Sequence, residues 1–202
     1  MRHKPQQQRS QQMLQTILEA TLDTVHRHGM EGTTTRHIAE RAGISVGTLY
    51  HYFKDKEDVY AALQKSLTDD LVARIRAQIP ELVQKDFGEM IRGVLTLFMD
   101  ELERDGGKQL AFARHVMQRG FSQDMGRIEQ VMLELSLVYT THHPELARNR
   151  DLVRVTYILF NSVTFNLIRF LDDPSPYVNR EQLVDGLADM CVAYFNSQMP
   201  EA

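Results

Sequence analysis

Apolar residues recur at helical spacing through almost the whole chain, and no stretch alternates as a strand would. Leu14, Ile17, Leu18, Thr21, Leu22 and Val25 form one face of a helix predicted over Ser10–His28, which Gly29 ends. Val59, Leu63, Leu67, Leu71, Ile75 and Ile79 make a regular stripe on a helix over Lys56–Pro80. From Glu81 the pattern predicts a helix to Arg104, broken by Asp105-Gly106-Gly107, and another over Lys108–Arg119, ended by Gly120. A helix over Ser122–Thr141 stops before Pro144, and the last two cover Ala147–Leu171 and Asn179–Gln198, on either side of the loop Asp172–Pro176. Residues 1–9 have little to bury and are expected to be loosely attached. Arg2, His3, Lys4 and Arg9 make them either a basic arm or a solvated tail.

The stretch from Thr33 to Lys56 breaks the rhythm of long helices. It predicts a short helix over Thr35–Arg41, a corner at Ala42-Gly43-Ile44, and a second short helix over Val46–Phe53. Gly43 stands where helices end in a left-handed residue, and Ser45 stands where an N-cap is needed. This is a helix-turn-helix, whose second helix enters the major groove of DNA. At about 100° per residue, Leu49, Tyr52 and Phe53 share one side of that helix, and Val46, Gly47, Tyr50 and His51 fall largely on the other. The first side suits a core. On the second, a glycine permits close approach, and a phenol and an imidazole can bond to phosphate oxygens.

Gly29, Thr33, Thr34, Ile38, Ala39, Ala42, Gly43, Ser45, Gly47, Leu49, Tyr50, Tyr52, Phe53, Lys56 and Glu57 together resemble the DNA-binding domain of the TetR family of transcriptional repressors. The resemblance covers Ile17 to about Leu63; the rest matches the family only in length, helicity and order. It implies an all-α protein with an N-terminal arm and helix-turn-helix domain, residues 1–55, and a helical ligand-binding and dimerisation domain, residues 56–202. It assigns DNA contacts to Thr35, Gly47, Tyr50, His51 and Lys56, and base-facing roles to Arg36, Ile44 and Val46. Ser45 and Tyr52 complete the expected DNA-binding set. Val46 departs from the lysine common in relatives and can offer only an apolar contact to a thymine methyl. The family also implies that a shift of the Lys56–Pro80 helix moves the reading head when an inducer binds.

The net charge of −4 sits badly with DNA binding until it is divided. Residues 1–56 carry eight Lys or Arg against five Asp or Glu, and residues 57–202 carry fifteen against twenty-two, so basic charge gathers with the motif. A single cysteine, Cys191, excludes an internal disulfide and fits a reducing cytoplasm. Residues 1–12 do not read as a signal sequence, and the charge-free run Val155–Ile168 is too short to span a bilayer, so a cytoplasmic protein is expected.

The run VRVTYILFNSVTFNLIRFL is apolar nearly all round, and a helix of that kind must be covered on more than one side. Together with Leu183, Val184, Leu187, Ala188, Cys191, Tyr194 and Phe195, it predicts a homodimer through the last two helices, against the alternative of a monomer with a thick core. A small, largely apolar inducer is expected among the four helices that follow Glu81, touching Phe98, Phe112, His115, Met132, Tyr139, Tyr157, Asn161 and Phe165. Met90, Val94, Val116, Leu135 and Thr164 are further lining candidates. No catalytic residue, cofactor or metal site is expected: there is no nucleophile elbow, phosphate loop or HExxH pattern, and His142-His143 reads as an exposed helix end. The function expected is a ligand-responsive repressor. The alternative is an activator or ligand-independent DNA-binding protein of the same fold.

Overall fold

The computed structural model describes residues 4–118, 123–146 and 151–199, and within them every regular element is helical. The elements are α1 (Lys4–Gly32), α2 (Thr35–Ala42), α3 (Val46–Tyr52), α4 (Lys56–Leu82), α5 (Phe87–Gln118), α6 (Gln123–His142), a single 3-10 turn (Pro144–Leu146), α7 (Leu152–Asp172) and α8 (Arg180–Ser197). Arg2, His3, Gly120 and the expected helix start at Ala147 lie outside the described residues.

Several boundaries differ from expectation, among them the start of α5, at Phe87 rather than Glu81. α1 begins at Lys4, inside the expected loose tail; Pro5 is tolerated in a first turn, and the glutamines after it are good helix formers. Gly29 leaves helical geometry at φ 68°, yet a last turn follows it as far as Gly32. Pro80 does not stop α4, which runs on to Leu82 because Leu82 and Val83 bury their side chains beyond it. The break at Asp105-Gly106-Gly107 is present. Arg104 is extended, and Asp105, Gly106 and Gly107 follow at φ 54°, 71° and 79°. α5 is therefore two helical pieces joined by a left-handed corner.

The chain builds two cores. In the first, Ile17, Leu18, Leu22 and Val25 of α1 meet Ile38, Leu49 and Phe53, and the opening turns of α4 close it with Val59, Tyr60 and Leu63. Phe112, from the second piece of α5, completes this core, its ring set edge-on to Tyr60 at 6.4 Å. The second core lies among the rest of α4, the first piece of α5, and α6, α7 and α8. Ion pairs cross between the two. Asp23 of α1 holds both Arg41 of α2 and Lys108 of α5, and those two cations draw its carboxyl below the usual range, Lys108 most.

Candidate DNA-binding face and ligand cavities

The helix-turn-helix is built by local hydrogen bonds that its sequence specifies. Thr34 caps α2, its hydroxyl accepting from the His37 amide at 3.2 Å. Gly43 adopts φ 68° and its amide donates back to Ala39 and Glu40, so the chain turns where a Cβ would be strained. Ser45 then caps α3, accepting from the Thr48 amide at 3.0 Å. Asp55 caps α4 through the Asp58 amide at 2.9 Å.

These caps set the phase of α3. Leu49 is wholly buried and Phe53 nearly so, while Tyr50 is 51% exposed and Gly47 and His51 face solvent beside it. The Tyr50 hydroxyl lies 3.4 Å from the Thr35 hydroxyl, which joins the two helices along one outer edge. A Cβ on Gly47 would meet nothing closer than 3.7 Å, so nothing inside the fold requires a glycine there. Arg36 is exposed and paired with Glu40 at 2.8 Å, an i,i+4 bridge that a phosphate can replace. Val46 and Ser45 are exposed as well.

Three of the expected DNA-facing residues sit less freely. Ile44 and Tyr52 are half-buried and pack onto the first core. Lys56 turns its ammonium to the Met30 carbonyl at 3.3 Å and over the Tyr60 ring at 5.6 Å. It thus fastens α4 to the end of α1. His28 and His37 stack at 5.0 Å, and among the described residues no cluster of three potential metal ligands exists.

The C-terminal half holds two apolar cavities. One, about 750 Å³ with its mouth, lies between the first piece of α5 and helices α6, α7 and α8. Phe98, Met132 and Tyr139 line it as expected, with Met90, Val94, Leu135 and Thr164. Among the described residues no Asp, Glu, Lys, Arg or His side chain reaches it; its polar atoms come from Ser136, Thr140, Thr156, Thr164, Tyr139 and Cys191. Burial pushes the Cys191 thiol up to about 11 and the Tyr139 phenol up to about 12, and the phenol donates to the Lys85 carbonyl at 3.0 Å. The second cavity, about 770 Å³ with its mouth, is bounded by α4, both pieces of α5, α6 and α7, and Phe112 and Val116 line it.

Tyr157, Asn161, Phe165 and His115 line neither cavity. Tyr157 and Phe165 point outward from α7, 58% and 61% exposed, because Phe160, Val163 and Leu167 take its inner face. Asn161 donates to Glu129 at 3.0 Å. Conversely, Leu67 and Leu71 of α4, read only as part of a helical stripe, and Cys191 and Phe195 of α8, assigned to dimer packing, are wall residues, as are Gln64 and Thr68, which the sequence reading did not single out. Their apolar spacing fits a packed core equally well, so no sequence signal separates the two roles.

Residues 17–63 match the model of the family described as bacterial regulatory proteins, tetR family. Over those residues the chain carries a DNA-binding domain of the TetR-family type. It is similar to the HTH-type transcriptional regulator BetI of Escherichia coli O17:K52:H18, with 26% identity over 136 residues, 66% of this chain and 70% of that one. In fold it is similar to the regulator FadR of Bacillus subtilis in complex with stearoyl-CoA, at TM-score 0.67 and 18% identity, over 92% of this chain and 99% of that one. It is likewise similar to SmeT, the repressor of the Stenotrophomonas maltophilia multidrug efflux pump SmeDEF, at TM-score 0.63 and 22% identity, over 89% and 88%. This regulator is therefore a DNA-binding, non-enzymatic protein of helix-turn-helix type. TetR-family regulators bind operator DNA and small molecules and are usually dimeric. Among the described residues, no helix is long and apolar enough to cross a membrane.

Proposed function

We propose that this regulator is a cytoplasmic repressor, released from its operator by a small, uncharged or weakly charged, largely apolar inducer. The observation that carries the inducer reading is the cavity among α5, α6, α7 and α8, whose described wall residues offer hydroxyls and a thiol but no charge. Such a wall stabilises apolar surface withdrawn from water and leaves an ion without a partner. The cavity also favours this reading over a ligand-independent protein of the same fold. The repressor named SmeT and the FadR complex with stearoyl-CoA share the fold and support the reading by analogy.

On the DNA side, the head is residues 1–55, completed by the first turns of α4. Gly47, Tyr50 and His51 approach the phosphate backbone with Thr35, while Arg36 and Val46 reach base edges. Ser45 contributes through its cap, and Ile44, Tyr52 and Lys56 act by positioning α3 and α4 beside any contact of their own. Two heads read two half-sites, so the protein works as a homodimer. The partner surface proposed is α7 with α8. Val153, Tyr157, Ile158 and Phe165 form an exposed apolar strip on α7, and Met190 lies exposed on α8. Leu187, by contrast, is buried within its own chain and is no probe of that interface.

Fluorescence anisotropy with duplexes from the region upstream of the gene tests the DNA reading. Tyr50→Ala is expected to weaken binding at least tenfold without lowering thermal stability. Unchanged affinity overturns the assignment of this face. A thermal-shift screen of neutral apolar compounds, followed by DNA release, tests the inducer reading. Stabilisation confined to charged compounds overturns it.

A further inference from the structure

The two cavities share a wall. Phe98, Phe160 and Thr164 line both, and the two phenyl rings stand against each other with centroids 6.3 Å apart and planes at 57°. The shared wall thus includes this ring pair and Thr164. A ring turning about χ1 or χ2 opens a slit as wide as a methylene chain and much narrower than a fused ring system.

The chambers differ in what they touch. The first borders α6, α7 and α8 and none of the residues that build the head. The second borders Gln64, Leu67, Thr68 and Leu71 on α4 and Phe112, Gln109 and Glu101 on α5, the Glu101 carboxylate being paired with Arg74 and Arg104. Phe112 also belongs to the head's core, against Tyr60. An occupant of the second chamber thus presses on a ring that holds the head together. An occupant confined to the first does not.

We infer that this regulator distinguishes guests by length: an unbranched, flexible apolar chain threads past Phe98 and Phe160 to fill both chambers, and only a chain long enough to do so acts on the head. Short or rigid apolar molecules bind in the first chamber without effect on DNA. The inference rests on the inducer reading above and narrows its ligand class.

The test uses the intact protein, the 1-alkanols from hexanol to tetradecanol, and 1-pyrenemethanol as a rigid guest. Calorimetry measures affinity, and hydrogen exchange reports which walls each guest protects. Affinity is expected to rise by about fourfold per added methylene through the series, with no plateau after the first chamber fills. Hexanol and 1-pyrenemethanol are expected to slow exchange around residues 132–140 and 152–164 only. The longest alkanols also slow it around residues 64–71 and 109–116. Phe160→Trp is expected to abolish the gain in affinity from longer chains. If hexanol protects both sets of walls, or tetradecanol protects only the first, the inference is overturned; the wild-type series decides this even if the variant does not fold. Binding of 1-pyrenemethanol but of no alkanol overturns the length reading and leaves the apolar inducer standing. Binding of no guest overturns both.

Discussion

The head and the C-terminal domain bury apolar side chains to opposite ends. In the head, Ile17, Ile38, Leu49 and Val59 are wholly buried around a core built by α1, α2, α3 and the first turns of α4 and completed by Phe112 of α5, and no residue of α1, α2 or α3 borders either apolar cavity. Close packing of that kind holds α3 in one orientation, which reading a DNA groove demands. In the C-terminal domain, long helices meet along faces rich in Phe, Met and Leu and leave two chambers unfilled. On the inducer reading proposed above, those side chains exchange contact with one another for contact with a guest. The lesson is that one chain keeps rigidity and adaptability apart by giving each its own core.

The comparison breaks if matched truncations cost the same in both places. Leu49→Ala is expected to destabilise by about 2–5 kcal/mol, since nothing around it can collapse into the gap. Met132→Ala, at a half-buried wall that already borders empty space, is expected to cost about 1 kcal/mol. Urea unfolding followed by circular dichroism reads both, and equal costs would mean that the cavity wall is packed as tightly as the head.

A second division lies on α7, between its inward face at Phe160 and its outward face at Phe165. Phe165→Glu is expected to weaken dimerisation by about 2 kcal/mol, roughly thirtyfold, while leaving the monomer folded. Sedimentation velocity showing an undisturbed dimer would remove α7 from the interface.

Smaller effects probe the joint between the cores. Asp23→Asn removes one carboxylate that serves two cations, and about 1 kcal/mol of stability is expected to go with it near neutral pH. The folded-state value of Asp23 lies below its unfolded one, so its contribution is present above about pH 4 and fades as pH falls through the lower, folded value. Wild type and variant should converge in acid; a gap that persists there would assign the effect to packing.

Tyr139→Phe leaves the Lys85 carbonyl without its phenol donor and is expected to cost about 1 kcal/mol. The folded phenol titrates near 12 against about 10 unfolded, so the wild type's advantage holds below pH 10 and disappears as the pH climbs toward 12. Thermal melts across that alkaline range check the sign.

The head was legible because its determinants are local. A glycine at residue 43, hydroxyls at 34 and 45 and the leucine at 49 each act within a few residues, and each does in the structure what its type implies. The C-terminal domain was legible in outline only. α7 is apolar on nearly every side, so its periodicity cannot say which side faces inward. Tyr157 and Phe165 read as cavity wall and proved to be surface, while Phe160, between them in sequence, took the wall. The stripe on α4 read as core and is partly wall, because vacancy depends on how neighbouring helices diverge rather than on the residues of any one of them. Lys56 looked like a DNA ligand and is first a fastening to Met30; no spacing rule announces a carbonyl 26 positions away.

Phe112 packs in the head's core and also lines the second cavity, and that has a thermodynamic corollary running backwards from DNA to ligand. Linkage is symmetric: if a guest lowers affinity for the operator by some factor, the operator must lower affinity for the guest by the same factor. The promoter would then act as an antagonist of the inducer, and a cell holding many copies of the site would need more inducer to reach the same response.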